Sequence, residues 1–185
     1  MSNKLKTAIA FVKNIRTTGA ITQTSKKTEQ EITSQITKKT KFVVEFGMGH
    51  GNITKVILSK LPKDAKVFAF EINPEFCELV RADINDPRLK VVNDSAENLK
   101  KYIGDEEVDS FVSSMPLTMF PSTLVHTIMD ICVGCLSEDG HFSQVLYNKK
   151  SQSKFADYYN YIEVNGNVSL PPQYIYHCSE PKKGQ

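Results

Sequence analysis

From residue 42 almost to its end, the chain alternates between short apolar runs and segments with apolar residues at helical spacing. The run Phe42–Phe46 stops at a glycine, and a short apolar run of this kind is typical of a strand buried on both faces of a sheet. The next segment, 52–61, repeats apolar residues every three or four positions, which is typical of a helix with one buried face. Repetition of these two patterns predicts a parallel sheet covered by helices on both faces.

The same patterns predict the order of the elements. Strands are predicted at 42–46, 66–72, 89–92, 108–113, 141–147, 162–170 and 173–178. Helices are predicted at 3–16, 28–36, 52–61, 96–102, 122–136 and 154–161, and a further helix begins at Pro74 with Asn73 as its N-cap. The last two strands can pair antiparallel across Pro171 and Pro172. The sequence therefore predicts an α/β fold with a doubly wound, mostly parallel, seven-stranded sheet.

The length of 185 residues suits one domain with a single core. We expect an N-terminal helical segment at 1–40, followed by one α/β domain at 41–185. Apolar residues make up 40% and charged residues 24% of the chain, as in ordinary globular proteins. No apolar run approaches the roughly 20 residues that span a bilayer, and the N-terminus lacks the features of a secretory signal. A cytoplasmic protein is expected.

Charge is distributed unevenly along the chain. Residues 1–41 contain nine Lys/Arg and two Glu, a net charge of +7, and since the whole chain carries +2, the remainder carries −5. In the predicted helix 3–16, apolar residues share one face and lysines flank it. Such a helix either lies on an anionic membrane or packs its apolar face onto the domain. The basic segment indicates an anionic partner, either nucleic acid or a membrane on whose inner face the protein is peripheral.

The four cysteines and four histidines do not form a recognisable metal site. Cys132 and Cys135 make a single C-x-x-C, and no second pair of Cys or His follows at a comparable spacing. Both cysteines lie on a predicted helix with apolar neighbours, which suits a packing role. We expect no metal.

A glycine-rich turn joins the first strand of the domain to the following helix. Gly47, Gly49 and Gly51 alternate with other residues, and glycine lets the backbone turn sharply and approach a ligand closely. Glu71 ends the next strand, 20 residues after Gly51, where a carboxylate can accept hydrogen bonds from both hydroxyls of a ribose. In an open α/β sheet, ligands bind at this edge, so we expect a nucleoside-containing ligand here.

The turn differs from the dinucleotide fingerprint G-x-G-x-x-G, because Asn52 stands where that pattern has its third glycine. Glu45 lies two residues before the first glycine. A carboxylate at this place is unfavourable beside a pyrophosphate, but it suits a cationic ligand. S-adenosylmethionine, which carries an ammonium and a sulfonium, meets these requirements.

These residues carry a family resemblance. V-V-E-F-G-M-G-H-G followed by F-A-F-E-I-N resembles the first two motifs of class I S-adenosylmethionine-dependent methyltransferases, which share a Rossmann-like fold whose last strand is antiparallel. The resemblance implies that Glu45 orients the methionine end of the cofactor and that Glu71 holds its ribose. It also implies that Asp94, in N-D-S-A, binds the adenine amino group. The candidate cofactor-binding residues are Glu45, Gly47, Gly49, His50, Gly51, Glu71, Ile72, Asp94, Ser95 and Ser113.

The end of the fourth predicted strand is informative about the substrate. Residues 113–117, S-S-M-P-L, resemble the S-x-L-P-L signature of bacterial phospholipid N-methyltransferases, which methylate phosphatidylethanolamine. Segments 11–21 and 168–176 are similar to the first and last motifs of that family, although Ile15 and Gln23 stand where it usually has prolines. The resemblance implies a phospholipid amine as the methyl acceptor.

Methyl transfer from a sulfonium is a direct displacement, so an enzyme mainly has to align the nucleophile, the carbon and the sulfur. An alkyl amine with a pKa of about 10.4 is only on the order of one part in a thousand neutral at pH 7. Desolvation beside a cationic cofactor would lower that pKa. No dedicated base is evident in the sequence. The candidate catalytic residues are Ser114, Met115 and Pro116, whose oxygens can accept from the amine, and Tyr147, which can offer either a ring face to the ammonium or an acceptor oxygen.

Two alternatives stay open from the sequence. Residues 22–27 resemble the start of ribosomal RNA adenine dimethyltransferases, which would make RNA the partner. Those enzymes carry an aromatic residue that stacks on the flipped base, whereas this chain has Leu117 at that position. The other alternative is a non-catalytic protein that keeps the fold and the cofactor site.

Overall fold

A computed structural model describes residues 24–167 and 172–183. Seven strands form one sheet in the order β3-β2-β1-β4-β5-β7-β6. Their bounds are β1 Phe42–Phe46, β2 Lys66–Phe70, β3 Leu89–Val92, β4 Val108–Ser113, β5 Leu136–Leu146, β6 Tyr159–Asn167 and β7 Gln173–Pro181. Strands β1 to β5 are parallel, and β7 lies antiparallel between β5 and β6. The predicted doubly wound sheet, mostly parallel with an antiparallel last strand, is confirmed.

Six α-helices and three 3-10 turns connect these strands in the described part of the chain. The helices are α1 Lys26–Ile32, α2 Asn52–Lys60, α3 Pro74–Asp83, α4 Lys100–Ile103, α5 Ser122–Cys135 and α6 Ser153–Ala156. The 3-10 turns are Ala96–Asn98, Leu117–Met119 and Lys149–Gln152. The helix predicted at 3–16 and the motif at 11–21 lie outside the described residues. Within residues 24–167 and 172–183, no helix is long and apolar enough to cross a bilayer.

The helix predicted at 154–161 is wrong over its second half. Helix α6 ends at Ala156, and Tyr159 begins β6 by pairing with Pro181 of β7. Tyr159 is almost fully buried and stacks on Phe142 of β5, with the ring centroids 5.9 Å apart. Its pairing with a strand near the end of the chain therefore overrides the helical spacing of the local apolar residues.

Strand β5 begins five residues earlier than predicted. Leu136 pairs with Val108 of β4, whereas His141 pairs with Ser110, so residues 137–140 form an irregularity in the register. Gly140 permits this irregularity, because a Cβ at that position would lie only 2.7 Å from Cδ1 of Leu136. The single helix predicted at 96–102 is also wrong in detail, since a 3-10 turn precedes the short α4.

Helices cover both faces of the sheet. On one face, Ile32 of α1 and Ile57 of α2 pack against Val43 of β1 in one buried cluster. On the other face, Ile128 of α5 belongs to the cluster that contains Phe46 of β1, a residue buried completely. Both faces of β1 are thus buried, which explains why its sequence is apolar at nearly every position.

The carboxyl ends of the parallel strands meet at one edge of the sheet. The N–H of Gly47, after β1, donates to the carbonyl of Phe70 at 2.8 Å. The N–H of Ser114, after β4, donates to the carbonyl of Phe46 at 3.0 Å. The hydrogen bonds of the ladder therefore continue into the loops and fix the backbone at this edge.

Candidate active site

A cavity of about 380 Å³ opens at the carboxyl edge of the sheet. Eleven of the fourteen residues predicted from the sequence line it: Gly47, Gly49, His50, Glu71, Ile72, Asp94, Ser95, Ser114, Met115, Pro116 and Tyr147. Glu45, Gly51 and Ser113 are not among its lining residues, and all three are buried. The fold brings the predicted cofactor and acceptor residues to one cavity, although they are spread over residues 47–147.

The glycine turn follows a backbone path that other residues rarely adopt. Gly47 has a φ of +77°, and a Cβ there would lie 3.2 Å from Cγ of Met115 and 3.3 Å from Oγ of Ser114. Gly51, with a φ of +79°, is the N-cap of α2, and a Cβ there would lie 3.1 Å from Val80 of α3. The glycines therefore serve both the left-handed turn and the close packing of neighbouring loops.

Glu71 is held at the carboxyl end of β2, beside the glycine turn. It directly follows β2, is 5% exposed and lines the cavity. Its Oε1 accepts from the N–H of Asn73 at 2.8 Å, and its Oε2 accepts from the N–H of Gly49 at 3.2 Å. These bonds fix the carboxylate against the glycine turn and join the two sequence motifs in one structure.

Glu45 is a carboxyl group inside the sheet. Its Oε2 accepts from the hydroxyl of Thr54 at 2.6 Å, while its Oε1 is buried and has no hydrogen-bond partner among the described residues. Burial raises the pKa of Glu45 to about 8, against a smaller lowering by the Thr54 hydrogen bond, and the charge of Glu71 adds to the rise. A cationic group close by would favour the ionised form, so this site suits a ligand with an ammonium group.

Asp94 accepts hydrogen bonds from residues that closely follow it in the chain. Its Oδ2 accepts from the hydroxyl of Tyr102 at 2.6 Å, and its Oδ1 accepts from the side chain of Asn98 at 2.7 Å and from the N–H of Ser95 at 2.8 Å. Burial by itself raises the pKa of Asp94, but these hydrogen bonds outweigh it, so the pKa lies below its usual value. The group is therefore ionised at neutral pH. Nζ of the exposed Lys101 lies 3.4 Å from Oδ2, and a further donor to this oxygen would have to displace that long contact.

Aromatic side chains border the cofactor half of the cavity. The ring centroids of His50 and Phe76 are 4.4 Å apart, and both residues line the cavity. Phe76 was not among the residues predicted for the site. The helical spacing of apolar residues around it gives no signal for the contact with His50, which depends on how α3 lies beside the glycine turn.

The acceptor half of the cavity is built around the turn from Ser114 to Leu117. The carbonyl oxygen of Met115 accepts two hydrogen bonds, from the N–H of Leu117 and from the side-chain amide of Gln144, each at 2.8 Å. Two bonds fill the lone pairs of a carbonyl oxygen, so Met115 offers no further acceptor to an amine. The carbonyl of Pro116 already accepts from the N–H of Met119 at 2.9 Å.

Ser114 differs from its neighbours in this turn. Its hydroxyl donates to the carbonyl of Gly47 at 2.7 Å, and because a carbonyl cannot donate in return, the hydroxyl proton is fixed in that bond. The oxygen of Ser114 therefore has acceptor capacity only, and it lies on the cavity wall. This arrangement suits a substrate group that must be held through its N–H.

The remaining walls of the acceptor half are mostly apolar. Met119 and Tyr147 line the cavity and are 43% and 41% exposed, so they stand at its opening. Leu117 is 2% exposed and packs in the core, where it does not face a substrate. Further apolar lining residues that the sequence did not single out are Phe120, Leu124, Ile128, Val145 and Leu146.

The carboxylates that line the cavity, Glu71 and Asp94, both stand at the positions expected for the cofactor. The acceptor half has no carboxylate among the lining residues that the structure describes. Among the described lining residues, the acceptor half therefore offers hydroxyl and carbonyl oxygens and no carboxylate as a proton acceptor.

Fold and site together define a doubly wound α/β enzyme that takes a nucleoside-containing, cationic cofactor. The sequence profile of the family described as "Methyltransferase domain" matches residues 43–140, more than half of the chain. This stretch includes the glycine turn, Glu71, Asp94 and Ser114. The chain belongs to the S-adenosylmethionine-dependent methyltransferases, and it is a methyl-transfer enzyme.

The chain is similar to three known proteins that bear on its function. An ornithine lipid N-methyltransferase of Singulisphaera acidiphila is 30% identical over 149 residues, which cover 76% of this chain and 77% of that protein. A ribosomal RNA small subunit methyltransferase H of Acinetobacter baumannii is 30% identical over 76 residues, only 39% of this chain and 25% of that protein. A proposed methyltransferase of Streptococcus mutans, solved in complex with SAH, shares the fold with a TM-score of 0.65 and 15% identity over 85% of this chain and 99% of that chain.

S-adenosylmethionine is the cofactor, and the site fits it. The unpartnered, buried oxygen of Glu45 suits the ammonium, Glu71 suits the ribose hydroxyls and Asp94 suits the adenine amino group. When bound, the cofactor supplies a methyl group on a sulfonium. The glycine turn leaves its backbone open to a close approach, and the loop after β4 places Ser114 beside it. Displacement at a sulfonium methyl mainly requires alignment of the two reactants.

Proposed function

We propose that this enzyme transfers methyl groups to the amine of a phospholipid headgroup, such as that of phosphatidylethanolamine. The observation that carries the proposal is the composition of the acceptor half, where an apolar wall surrounds one oriented acceptor, the Ser114 hydroxyl. Apolar walls suit the non-polar part of a lipid near its headgroup, and an acceptor-only oxygen suits a neutral amine. The similarity to an ornithine lipid N-methyltransferase supports the same kind of chemistry, N-methylation of a lipid.

A lipid substrate requires contact with a membrane, and we propose an anionic membrane surface as the partner. The exposed side chains of Met119 and Tyr147 stand at the cavity opening. Lys149 and Lys150 follow Tyr147 after one residue and are exposed, and no carboxylate among the described residues pairs with either of them. Apolar side chains beside unpaired lysines favour an anionic lipid surface.

The Ser114 hydroxyl, with Tyr147 at the opening, is proposed to guide the amine. The ring of Tyr147 can stabilise the ammonium form before it enters. Inside, desolvation and the cationic cofactor lower the pKa of the amine, so the neutral nucleophile becomes accessible near neutral pH. The Ser114 oxygen then accepts an N–H and aims the nitrogen lone pair at the methyl carbon, and the methyl group leaves sulfur as the nitrogen–carbon bond forms. The proton on the methylated nitrogen passes to water.

The test uses the purified full chain with methyl-labelled S-adenosylmethionine. The acceptors are anionic vesicles with phosphatidylethanolamine, the same vesicles without it, vesicles with an ornithine lipid, and structured RNA. Label in the phosphatidylethanolamine fraction, abolished by Glu71→Ala and retained by Leu79→Ser, supports the proposal. Label in ornithine lipid alone would identify a lipid amine other than phosphatidylethanolamine as the methyl acceptor. Label in RNA alone overturns the lipid proposal.

A further inference from the structure

Gln144 lies in β5, which β4 separates from β1 and the glycine turn. It does not line the cavity. It is fully buried and pairs in register with Ser113 at the end of β4. Its side-chain Nε2 donates to the carbonyl oxygen of Met115 at 2.8 Å and to that of Val145 at 2.8 Å. An amide turned the other way would set its oxygen against two carbonyl oxygens, so these contacts fix its orientation.

The oxygen of the Gln144 side-chain amide lowers the stability of the fold. Oε1 of Gln144 is buried and has no hydrogen-bond partner among the described residues. An unpartnered buried acceptor disfavours folding, and an apolar side chain of similar size would avoid that cost. A buried polar group that is only half satisfied points to a task other than stability.

That task is visible in the turn that carries Ser114. From the β1 side, the N–H and hydroxyl of Ser114 bind the carbonyls of Phe46 and Gly47. From the β5 side, Gln144 holds the carbonyl of the next residue, Met115. The peptide between Ser114 and Pro116 is therefore clamped from both neighbouring strands.

We infer that Gln144 is a positioning residue for methyl transfer: it occupies the Met115 carbonyl, holds the turn, and so leaves the Ser114 hydroxyl as the group that meets the acceptor. The identity of the acceptor as an amine rests on the proposed function, whereas the clamping of the turn does not. Loss of the clamp lets the Met115 carbonyl move and misaligns the acceptor, so kcat falls while the affinity for the cofactor is kept.

The test compares Gln144→Glu with Gln144→Leu over pH 6–9. A carboxyl group at this place is buried against two carbonyl oxygens, so its pKa is raised, and only its protonated form can donate to the Met115 carbonyl. For Gln144→Glu, the ratio of its kcat to the wild-type kcat is expected to fall as pH rises, by about tenfold across the titration. Gln144→Leu is expected to be low at every pH, and both variants should keep the KM for S-adenosylmethionine within about twofold. Dividing by the wild-type rate at each pH removes the titration of the acceptor itself.

A second readout does not depend on the acceptor. The carbonyl carbon of Met115, labelled with [1-13C]methionine and assigned with Met115→Leu, is expected to shift in Gln144→Glu with the same pH midpoint as kcat. If the wild type labels RNA instead of lipid, the proposed function fails, and the same kcat ratios are measured on RNA. A pH-independent ratio, or a Gln144→Leu variant with wild-type kcat, overturns the inference.

Discussion

At the scale of single residues, Glu45 and Gly47 both have conformations or surroundings that cost stability. Glu45 is a carboxyl group in the interior with one oxygen unpartnered, and Gly47 holds a left-handed φ of +77°. Each of these states lowers the stability of the cofactor-free protein, and each suits a ligand, the first through a cationic group and the second through a close approach of the backbone. Both residues therefore allow predictions that separate binding from folding.

Binding of S-adenosylmethionine should release a proton from Glu45. With a pKa of about 8, this carboxyl group is mostly protonated at pH 7 in the cofactor-free protein, and an ammonium beside it favours ionisation. Titration calorimetry at pH 7, in buffers with small and large ionisation heats, should report release of about one proton per site. Glu45→Gln should bind more weakly and release none. Equal heats in both buffers for the wild type would contradict the prediction.

Glu45 also makes the free energy of unfolding of the cofactor-free protein depend on pH. Its pKa in the folded state lies above the ordinary value of 4.5, so between pH 4.5 and 8 the unfolded chain has lost a proton that the folded chain keeps. The contribution of Glu45 to stability therefore falls as pH rises through this window. The melting temperature of Glu45→Gln, measured between pH 4.5 and 8, should therefore lack the fall with rising pH that Glu45 causes in the wild type.

Gly47→Ala should abolish most cofactor binding, with Gly104→Ala as its control. Both positions have a positive φ, +77° and +60°, so an alanine is strained at both, by about 1–3 kcal/mol or more. Only the Cβ at residue 47 meets neighbours, Met115 and Ser114, because nothing lies within 4 Å of a Cβ at residue 104. Equilibrium binding should fall at least about tenfold in Gly47→Ala alone. Comparable losses in both variants would show that strain, and not the clash, is responsible.

At the scale of elements, the short helix α1 depends on its docking. Seven residues are too few for a stable isolated helix, so its position must come from contacts with the sheet. The hydroxyl of Thr28 donates to the side chain of Gln173 in β7. In the same strand, His177 is almost fully buried, with Nδ1 2.8 Å from Oγ of Ser143 and Nε2 3.5 Å from the carboxylate of Glu31. The first described residue, Thr24, lines the cavity, so this docking also places one edge of the site.

His177 should weaken the fold in mild acid. Burial lowers the pKa of His177 below its usual 6.5, and the nearby Glu31 only partly offsets this. Below pH 6.5 the unfolded chain takes up a proton that the folded chain resists, so stability falls as pH falls. The melting temperature should drop between pH 7.5 and 5.5, and His177→Gln should show a smaller drop.

At the scale of the whole molecule, one side of the domain combines the cavity opening with exposed apolar groups. Of the large apolar side chains that are exposed within the described ranges, Met119 and Tyr147 lie at the opening, whereas Leu79 and Tyr161 do not line the cavity. A membrane-facing opening would let a lipid headgroup enter without leaving the interface. Within residues 24–167 and 172–183, the proposed membrane contact is therefore centred on the patch of Met119 and Tyr147.

Met119→Ser and Tyr147→Ser should each weaken binding to anionic vesicles by about three- to tenfold, because each removes apolar surface from the patch. Leu79→Ser is the matched control, since Leu79 is 42% exposed and lies on α3 away from the cavity lining. Vesicle sedimentation at low and physiological salt measures the effect. An equal loss in the Leu79 variant would mean that the surface binds lipid without regard to the opening.

The sequence by itself determined the elements whose signals are local. The apolar run before Gly47, the N-cap at Asn73 and the spacing from Gly51 to Glu71 predicted the first two strand-to-helix units and the class of cofactor. These features depend on neighbouring residues, whose geometry is set by backbone sterics and periodicity. The expected roles of Glu45, Asp94 and Tyr147 remain predictions, although the fold places Asp94 and Tyr147 on one cavity.

Only the tertiary structure decided which groups meet across the sheet. Tyr159 lies in a strand because β7 pairs with it, and the Met115 carbonyl is closed to substrate because Gln144, 29 residues later, binds it. The partner of Glu45, Thr54, and the contact of His50 with Phe76 also depend on how helices sit on the sheet. A one-dimensional pattern gives the face on which a residue lies. The distance between two such residues follows from strand order, register and side-chain packing, which the whole chain sets together.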